Sequence, residues 1–202
     1  MPSPFAHLTA GYIIYRTSNQ NPPLNLGRLW FLPFQLVVFA GLSILPDIDT
    51  LPGLIYGDMH GFHNNYTHSL VSGLIVALVI SVLLSKLFKT SFRSWFPAAL
   101  ASYELHVLMD FFTSERGVKL FWPLYPERVI APVKLFVGFQ WGLGLFNIAH
   151  LWTLFTEVVF FLGLLLLLSL LQTSRRKPVV LEGSLGDDCC YKLPLTRDPY
   201  GR

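Results

Sequence analysis

Residues 43–53 read S-I-L-P-D-I-D-T-L-P-G and stand at the end of the apolar run Leu29–Leu45, which contains no charged residue. Two aspartates, Asp47 and Asp49, therefore stand where this run ends, with a proline shortly before and after them. Proline restricts the backbone, so such a turn can hold two carboxylates in one orientation. We predict a rigid turn that points both side chains into a shared space at the end of a membrane-length segment.

The composition of the chain is that of a membrane protein. Of its 202 residues, 52% are hydrophobic and 13% are charged. Ordinary soluble domains carry about 25% charged residues. A soluble domain of this length could not bury so much apolar surface, so we expect the lipid bilayer to be its solvent. The formal net charge of +3 gives no reason to expect a nucleic-acid partner.

Apolar segments divide the chain into helices. About 20 apolar residues span a bilayer. Four mainly apolar segments are close to this length, and a fifth, the first in the chain, is shorter. In chain order the five are Phe5–Tyr15, Leu29–Leu45, Ser69–Leu87, Trp95–Thr113 and His150–Leu171. Residues 135–148 are rich in glycine, and the pattern leaves open whether they cross. We predict an all-α, polytopic membrane bundle of about four to six helices in residues 1–172, followed by a flexible polar tail in residues 173–202.

The distribution of basic residues predicts the orientation of the bundle. If the segments alternate in direction, eight basic residues fall on one face: Arg16, Arg28, Lys86, Lys89, Arg93, Arg175, Arg176 and Lys177. Four fall on the other face: Arg116, Lys119, Arg128 and Lys134. The positive-inside rule places the larger set, and with it the tail, in the cytoplasm. A full crossing by residues 135–148 would invert the last segment.

Alternating passes also bring polar residues from distant segments to the extracytoplasmic end of the bundle. Five histidines and three aspartates meet there: His7, His63, His68, His106, His150, Asp47, Asp49 and Asp110. His106 and Asp110 are four residues apart, so they share one helix face and can bind the same ion. Imidazole with carboxylate suits zinc, manganese or iron better than calcium. Because the donors outnumber the four ligands of one tetrahedral site, we predict two or three divalent transition metal ions, zinc first.

Taken one at a time, these residues have ordinary structural roles. A single histidine at a membrane interface is usually an amphipathic anchor, which applies to His60 and His150. Asp47 alone is typical of a turn or a helix cap. Glu157, seven residues after His150, could be an outer ligand, a base or a hydrogen-bonding partner for a neighbouring helix. The metal prediction therefore depends on the accumulation of residues at one end.

Five short motifs carry a family resemblance: P-F-A-H, L-P-D-I-D, H-N-N-Y-T-H-S, H-V-L-M-D and G-V-K-L-F-W-P. In this order, over about residues 4–128, they resemble the YdjM-like family of bacterial inner-membrane proteins, which are expected to be metal-dependent hydrolases. The resemblance implies a multi-pass protein of the inner membrane. The metal-site positions that it implies are His7, Asp47, Asp49, His63, His68, His106 and Asp110.

These observations lead to a functional hypothesis. We expect a membrane-bound, metal-dependent hydrolase in which metal-activated water attacks an ester or phosphoester of a small or lipid substrate. His7 and His63 are the candidate catalytic residues, because either completes the metal cluster or carries a proton. The alternatives are an ion transporter and a non-catalytic membrane protein stabilised by its metal. The scarcity of polar residues in Val71–Leu84 argues against transport. The oligomeric state stays open.

The loop that follows the fourth segment has two interpretations. Lys119 and Arg128 could hold an anionic head group above the metal site, while Phe121, Trp122 and Tyr125 suit the membrane interface. Equally, the loop could be an interfacial segment with aromatic anchors and no ligand of its own. The sequence does not choose between a head-group contact and a purely structural loop.

Overall fold

A computed structural model of the chain describes residues 2–18, 28–57, 59–113, 116–138 and 147–175. Seven α-helices occur in these residues: α1 (Pro4–Thr17), α2 (Arg28–Leu42), α3 (Thr50–Tyr56), α4 (Met59–Phe62), α5 (Leu70–Phe88), α6 (Phe92–Phe111) and α7 (Ala149–Arg175). Two short 3-10 turns, Leu45–Asp49 and Tyr66–His68, stand between them. The predicted all-α fold is confirmed, and five helices of 14 or more residues match the expected four to six.

Parts of two predictions lie outside the described residues. The glycine-rich stretch 135–148 is described only at its ends, so whether it crosses the membrane stays a prediction. The tail is likewise described only as far as residue 175, where α7 ends, and its flexibility also stays a prediction.

Serine caps start the helices that carry polar residues. The Ser3 hydroxyl accepts a hydrogen bond from the backbone N–H of Ala6 at the start of α1, and Pro4 follows in the first helical position, where its missing N–H costs nothing. The Ser69 hydroxyl caps α5 in the same way by accepting from the N–H of Ser72. These caps fix where each helix begins. His7 consequently lies in the second turn of α1.

Two helices of the described chain, α5 and α7, are long and apolar enough to cross a membrane, with mean hydropathies of 2.4 and 2.5. The count rises to three when Phe31–Leu42 and Leu45–Tyr56, which meet at an angle of 50°, are taken as one bent span. The bend coincides with the 3-10 turn that carries the two aspartates. The α6 helix is more polar and packs against α5.

An aromatic cluster joins α2, α5 and α6 at the end that is remote from the polar residues. The ring of Phe31 meets Phe88 edge-on at 5.7 Å and Trp95 edge-on at 5.8 Å. All three side chains are buried, and edge-to-face pairs of this kind add to the stabilisation from burial alone. Because α2 and α6 both start at this cluster and α5 ends there, their opposite ends also come together.

A close crossing of α1 and α2 depends on Gly11. A Cβ atom at this position would lie 2.7 Å from the carbonyl oxygen of Phe39 and 2.8 Å from the Cα of Ala40. Both are backbone atoms of α2, so only a shift of a whole helix could make room. Gly11 is four residues after His7 and therefore on the same face of α1. The crossing thus sets how deeply His7 enters the bundle.

Replacing Gly11 with alanine is expected to lower the free energy of unfolding by about 1–3 kcal/mol, because the added methyl group overpacks the crossing. Thermal unfolding in detergent micelles measures the change. Gly41→Ala is the matched control, since nothing lies within 4 Å of a Cβ at Gly41. Alanine there removes glycine's entropy cost in a helix and should leave stability equal or slightly higher. Equal loss in both variants would show that the crossing is not the cause.

Candidate metal centre

Six of the seven predicted metal-site residues form two groups of potential ligands. The mouth group contains Asp47, His63, His68 and Asp110, and the deep group contains His7, His106 and Asp110. Within each group one ligand atom from every residue lies within 4.8 Å of the others. Asp110 belongs to both groups, so the two share one carboxylate.

The shared site is assembled from four regions of the chain. His7 comes from α1, and Asp47 from the turn that ends α2. The two histidines of the mouth group precede α5, and the other two ligands share one face near the end of α6. Helices of alternating direction therefore bring their polar ends together. His68 stands just before the cap of α5, so that helix begins at the site.

The tautomers of two histidines follow from their neighbours. Nδ1 of His106 lies 2.7 Å from the carbonyl oxygen of Ser43, which can only accept, so this nitrogen carries the proton. Nδ1 of His68 likewise lies 3.1 Å from the Oδ2 of Asp49. In each ring Nε2 is then the nitrogen that a metal ion could bind. The two Nε2 atoms are 3.2 Å apart and face the same small volume.

Carboxylate oxygens surround these nitrogens. The Oδ2 of Asp110 lies 3.2 Å from Nε2 of His68 and 3.4 Å from Nε2 of His63. Its Oδ1 lies 3.5 Å from Nε2 of His7, whose ring stacks on His106 with centroids 3.7 Å apart. The Oδ1 of Asp47 lies 3.5 Å from Nε2 of His106. Nitrogen and oxygen donors thus face one small volume.

Several of these buried atoms have no hydrogen-bond partner among the described residues. They are Nδ1 and Nε2 of His7, Oδ1 of Asp47, Nε2 of His63, and both carboxylate oxygens of Asp110. An unsatisfied buried polar atom costs on the order of 1–3 kcal/mol, and more when it is charged. A positive charge in the centre of such a cluster would stabilise it. The residues therefore fit a divalent metal ion, which would satisfy these donor atoms together.

Asp49 differs from the other predicted ligands because both of its oxygens are already used. Its Oδ1 lies 3.2 Å from Nδ1 of His63, and its Oδ2 lies 3.1 Å from Nδ1 of His68. Oδ2 also accepts from the N–H of Asn65 and the hydroxyl of Thr67. Asp49 therefore contacts Nδ1 of both imidazole rings, and Nε2 of each ring points to the other ligands. Partners of this kind orient metal-ligating histidines.

Asp49→Asn is expected to weaken metal binding about 10–100-fold without abolishing it, because it disturbs ring orientation and leaves the donor set intact. Competition with a chromogenic chelator measures the affinity. Asp47→Asn is the comparison, since Asp47 supplies a donor atom to the mouth group. A loss of one ion in Asp49→Asn, equal to the loss in Asp47→Asn, would instead identify Asp49 as a direct ligand.

The ligand side chains range from fully buried to partly exposed, and the partly exposed pair, Asp47 and His63, marks the opening of the site. The side chains of His68 and Asp110 are 0% exposed, whereas those of Asp47 and His63 are 14% and 10% exposed. Burial by itself lowers the pKa of His68, but three neighbouring carboxylates, that of Asp110 first, outweigh it and raise the pKa well above its ordinary value. The carboxylates thus make the interior favourable for positive charge.

Two cations that the sequence indicates as candidate head-group contacts have partners within the protein. The guanidinium of Arg128 donates to the carbonyl oxygens of Gly117 and His63 and to Oδ1 of Asn65, at 3.1–3.2 Å. It thereby ties the loop that carries His63 to the segment after α6. The ammonium of Lys119 lies 4.4 Å from the centre of the Tyr66 ring. Both cations thus have partners inside the protein, and a head-group contact stays a prediction.

Other predicted candidates lie outside both groups. Glu157 accepts hydrogen bonds from the backbone N–H of Ser3, at 2.8 Å, and from its hydroxyl, and so attaches α7 to the start of α1. His150 is buried at the start of α7, where its backbone N–H donates to the carbonyl oxygen of Asn147. The side chain of His60 is not among those described. Of these three, Glu157 has a clear structural role.

Comparisons with known proteins bear on the identity of the chain. The family model described as YdjM inner membrane protein matches residues 1–179. Neither the curated proteins nor the solved structures gave a match. The family match covers the described helices and every residue of the two ligand groups. The chain belongs to the YdjM inner membrane protein family.

Proposed function

We propose that the protein is a membrane-bound, metal-dependent hydrolase that cleaves an ester or phosphoester. The observation that carries the proposal is the buried cluster of imidazole and carboxylate groups, several of whose donor atoms have no hydrogen-bond partner among the described residues. Such a donor set suits zinc, with manganese and iron as alternatives. One ion for each group gives two, the lower of the two counts expected from the sequence.

Divalent metal ions would supply the Lewis acidity that lets water attack an ester near neutral pH. The contribution of the chain is to hold the ions and to set the charge of the site. Asp110 belongs to both groups and would keep two ions close together. Three carboxylates, including that of Asp49, oppose the four positive charges of two divalent ions. The remaining positive charge favours an anionic substrate and the negative charge that develops during hydrolysis.

Hydrolysis also requires that protons move. The oxygen of water forms a bond to the carbonyl carbon or phosphorus, the ester bond breaks, and a proton from water must reach the leaving alcohol oxygen. His63 suits this transfer if Asp47, His68 and Asp110 hold the ion of the mouth group. Its Nε2, 3.4 Å from Oδ2 of Asp110, would then take the proton, while part of its side chain stays exposed at the opening. His7 is wholly buried and suits a ligand role. Asp49 holds Nδ1 of His63 and so fixes the ring that would carry the proton.

Turnover of a substrate panel tests the proposal. The protein, purified without chelator, is assayed with carboxylic esters and phosphoesters in detergent and in lipid nanodiscs. We expect hydrolysis that stops on removal of metal and returns with zinc, manganese or iron. Bound metal without turnover of any substrate would instead favour a non-catalytic protein stabilised by its metal. Metal flux in liposomes without turnover would favour a transporter.

We also propose that the site faces the extracytoplasmic side and the tail the cytoplasm, because the basic residues are more numerous at the end away from the ligands. A C-terminal fusion to green fluorescent protein should fluoresce, and one to alkaline phosphatase should be inactive, since the first matures in the cytoplasm and the second outside it. The reverse pair of results would invert the orientation and leave the metal centre unaffected.

A further inference from the structure

The short helix that follows the two aspartates is unusually apolar and exposed. The α3 helix reads T-L-P-G-L-I-Y and contains no charged residue. Leu54 is 68% exposed and Ile55 is 79% exposed, and Leu51 and Tyr56 also point away from the protein. Contiguous apolar surface of this kind marks a contact with another apolar medium or molecule. Its position directly beside the metal centre makes the nature of that contact important.

The geometry of the chain places this helix against the membrane. The segments Phe31–Leu42 and Leu45–Tyr56 together have the apolar character of one span, with a bend of 50° between them. The two aspartates lie in the turn that opens the second of these segments, so apolar helices stand on both sides of them. The opening of the site therefore adjoins lipid-facing surface.

Aromatic residues typical of a membrane interface also lie near the segment that carries the histidines of the mouth group. Tyr66, two residues before His68, contacts the ring of Trp122 with centroids 5.0 Å apart. Phe121 and Tyr125, in the same loop as Trp122, are exposed. Tyrosine and tryptophan concentrate at the level of lipid head groups. An apolar helix thus follows the aspartates, and interfacial aromatic side chains accompany the histidines.

We propose that α3 lies in the lipid interface as an apolar rim of the metal centre and that the substrate is a membrane lipid. Its acyl chains would remain in the bilayer beside Leu54 and Ile55, while its ester or phosphoester group reaches Asp47 and His63 at the opening. This substrate class rests on the proposed hydrolase function. The placement of α3 does not, because it depends on exposure and chain geometry alone.

Electron paramagnetic resonance tests the placement. Ile55→Cys carries a spin label in nanodiscs holding one copy each, with Cys189 and Cys190 replaced by serine. Leu74→Cys, on the exposed face of α5 near its start, is the lipid reference, and Arg93→Cys, exposed at the start of α6, is the water reference. We expect the label at position 55 to resemble that at position 74, accessible to oxygen and protected from a water-soluble nickel chelate. Accessibility like that at position 93 would overturn the proposal.

A second copy of the chain is the competing occupant of the rim. It would shield a label at position 55 from both oxygen and nickel in discs that hold two copies, and would release it in discs that hold one. Shielding that follows the copy number in this way would overturn the lipid assignment. Lipid contact predicts the same accessibility at either copy number.

Turnover tests the substrate class. The same reactive ester or phosphoester is offered on a long-chain lipid in nanodiscs and on a short-chain soluble analogue. We expect the ratio of lipid to soluble turnover to fall about tenfold in the double variant Leu54→Asn, Ile55→Asn, which loses apolar contact with the acyl chains. Metal content reports whether each preparation has folded. If the double variant does not bind metal, the single variant Ile55→Asn replaces it in the assay.

The results separate the substrate class from the function itself. An unchanged ratio in a metal-loaded variant would refute the lipid substrate while leaving the hydrolase function intact. Absence of turnover with both substrates would refute the hydrolase function and the lipid substrate together, and the spin label would still decide where α3 lies.

Discussion

Replacing Asp110 with asparagine is expected to reduce bound metal from about two equivalents to one or fewer, because the deep group keeps only two ligands and the mouth group loses one of its two carboxylates. The amide side chain has nearly the same size as the carboxylate but carries no charge. Since metal ions contribute several kcal/mol of transition-state stabilisation, hydrolysis should fall by about 1000-fold or more. Mass spectrometry of the metals in the purified variant, combined with turnover of the best substrate, measures both effects.

Glu104→Gln is the matched control for this experiment. It also replaces a carboxylate of α6 with an amide, but Glu104 belongs to neither ligand group and its carboxylate packs against Gly73 of α5. Its metal content should equal that of the unmodified protein. Metal retained at full occupancy in Asp110→Asn would contradict the shared carboxylate, and equal metal loss in both variants would point to general disruption of α6.

Replacing His7 with alanine should remove one ion and leave the other. The deep group would keep only His106 and Asp110, too few ligands for a stable site, whereas the mouth group would keep all four of its residues. Metal content should fall from about two equivalents to about one, with turnover at least about 100-fold lower if both ions act in the reaction.

Two further variants separate the ligand role of His7 from its packing role. His7→Phe retains an aromatic ring to stack on His106 but offers no nitrogen, so it should lose the same ion as the alanine variant. Thr9→Ala lies on the same helix, removes a hydroxyl bonded to the carbonyl oxygen of Phe5, and should keep both ions. Full metal content in His7→Phe would show that His7 stabilises the site by stacking alone.

The site residues could be assembled from the sequence because membrane helices reverse direction at each pass. The ends of the apolar segments are enough to place His7, Asp47 and His68 at the same end of the bundle. The first and the last of these residues are more than 60 positions apart in the chain. The spacing of His106 and Asp110 adds a shared helix face. Both rules depend on helix geometry, which the apolar pattern predicts well.

The different roles of the carboxylates could not be predicted in the same way. The sequence L-P-D-I-D does not distinguish the role of Asp47 from that of Asp49. Only the folded turn shows that the oxygens of Asp49 contact Nδ1 of His63 and of His68. The carbonyl oxygen of Ser43, which fixes the tautomer of His106, belongs to the backbone and has no sequence signal.

Hydrogen bonds between distant parts of the chain could not be predicted from the sequence for a related reason. Arg128 holds a loop that lies 65 residues earlier in the chain, through carbonyl oxygens that any residue could offer. From the sequence it was indistinguishable from an arginine that faces lipid head groups. The exposed face of α3 was also missed, because a short apolar segment after a turn is equally typical of a buried helix.

X-ray absorption at the edge of the bound metal, on protein purified without chelator, tests the central claim most directly. A metal centre shared by the two groups predicts imidazole scattering around the metal, ligation by nitrogen and oxygen only, and a second metal at about 3.5–4 Å. A spectrum without imidazole, or with sulfur in the coordination shell, would contradict the assignment of these histidines and aspartates as a metal centre.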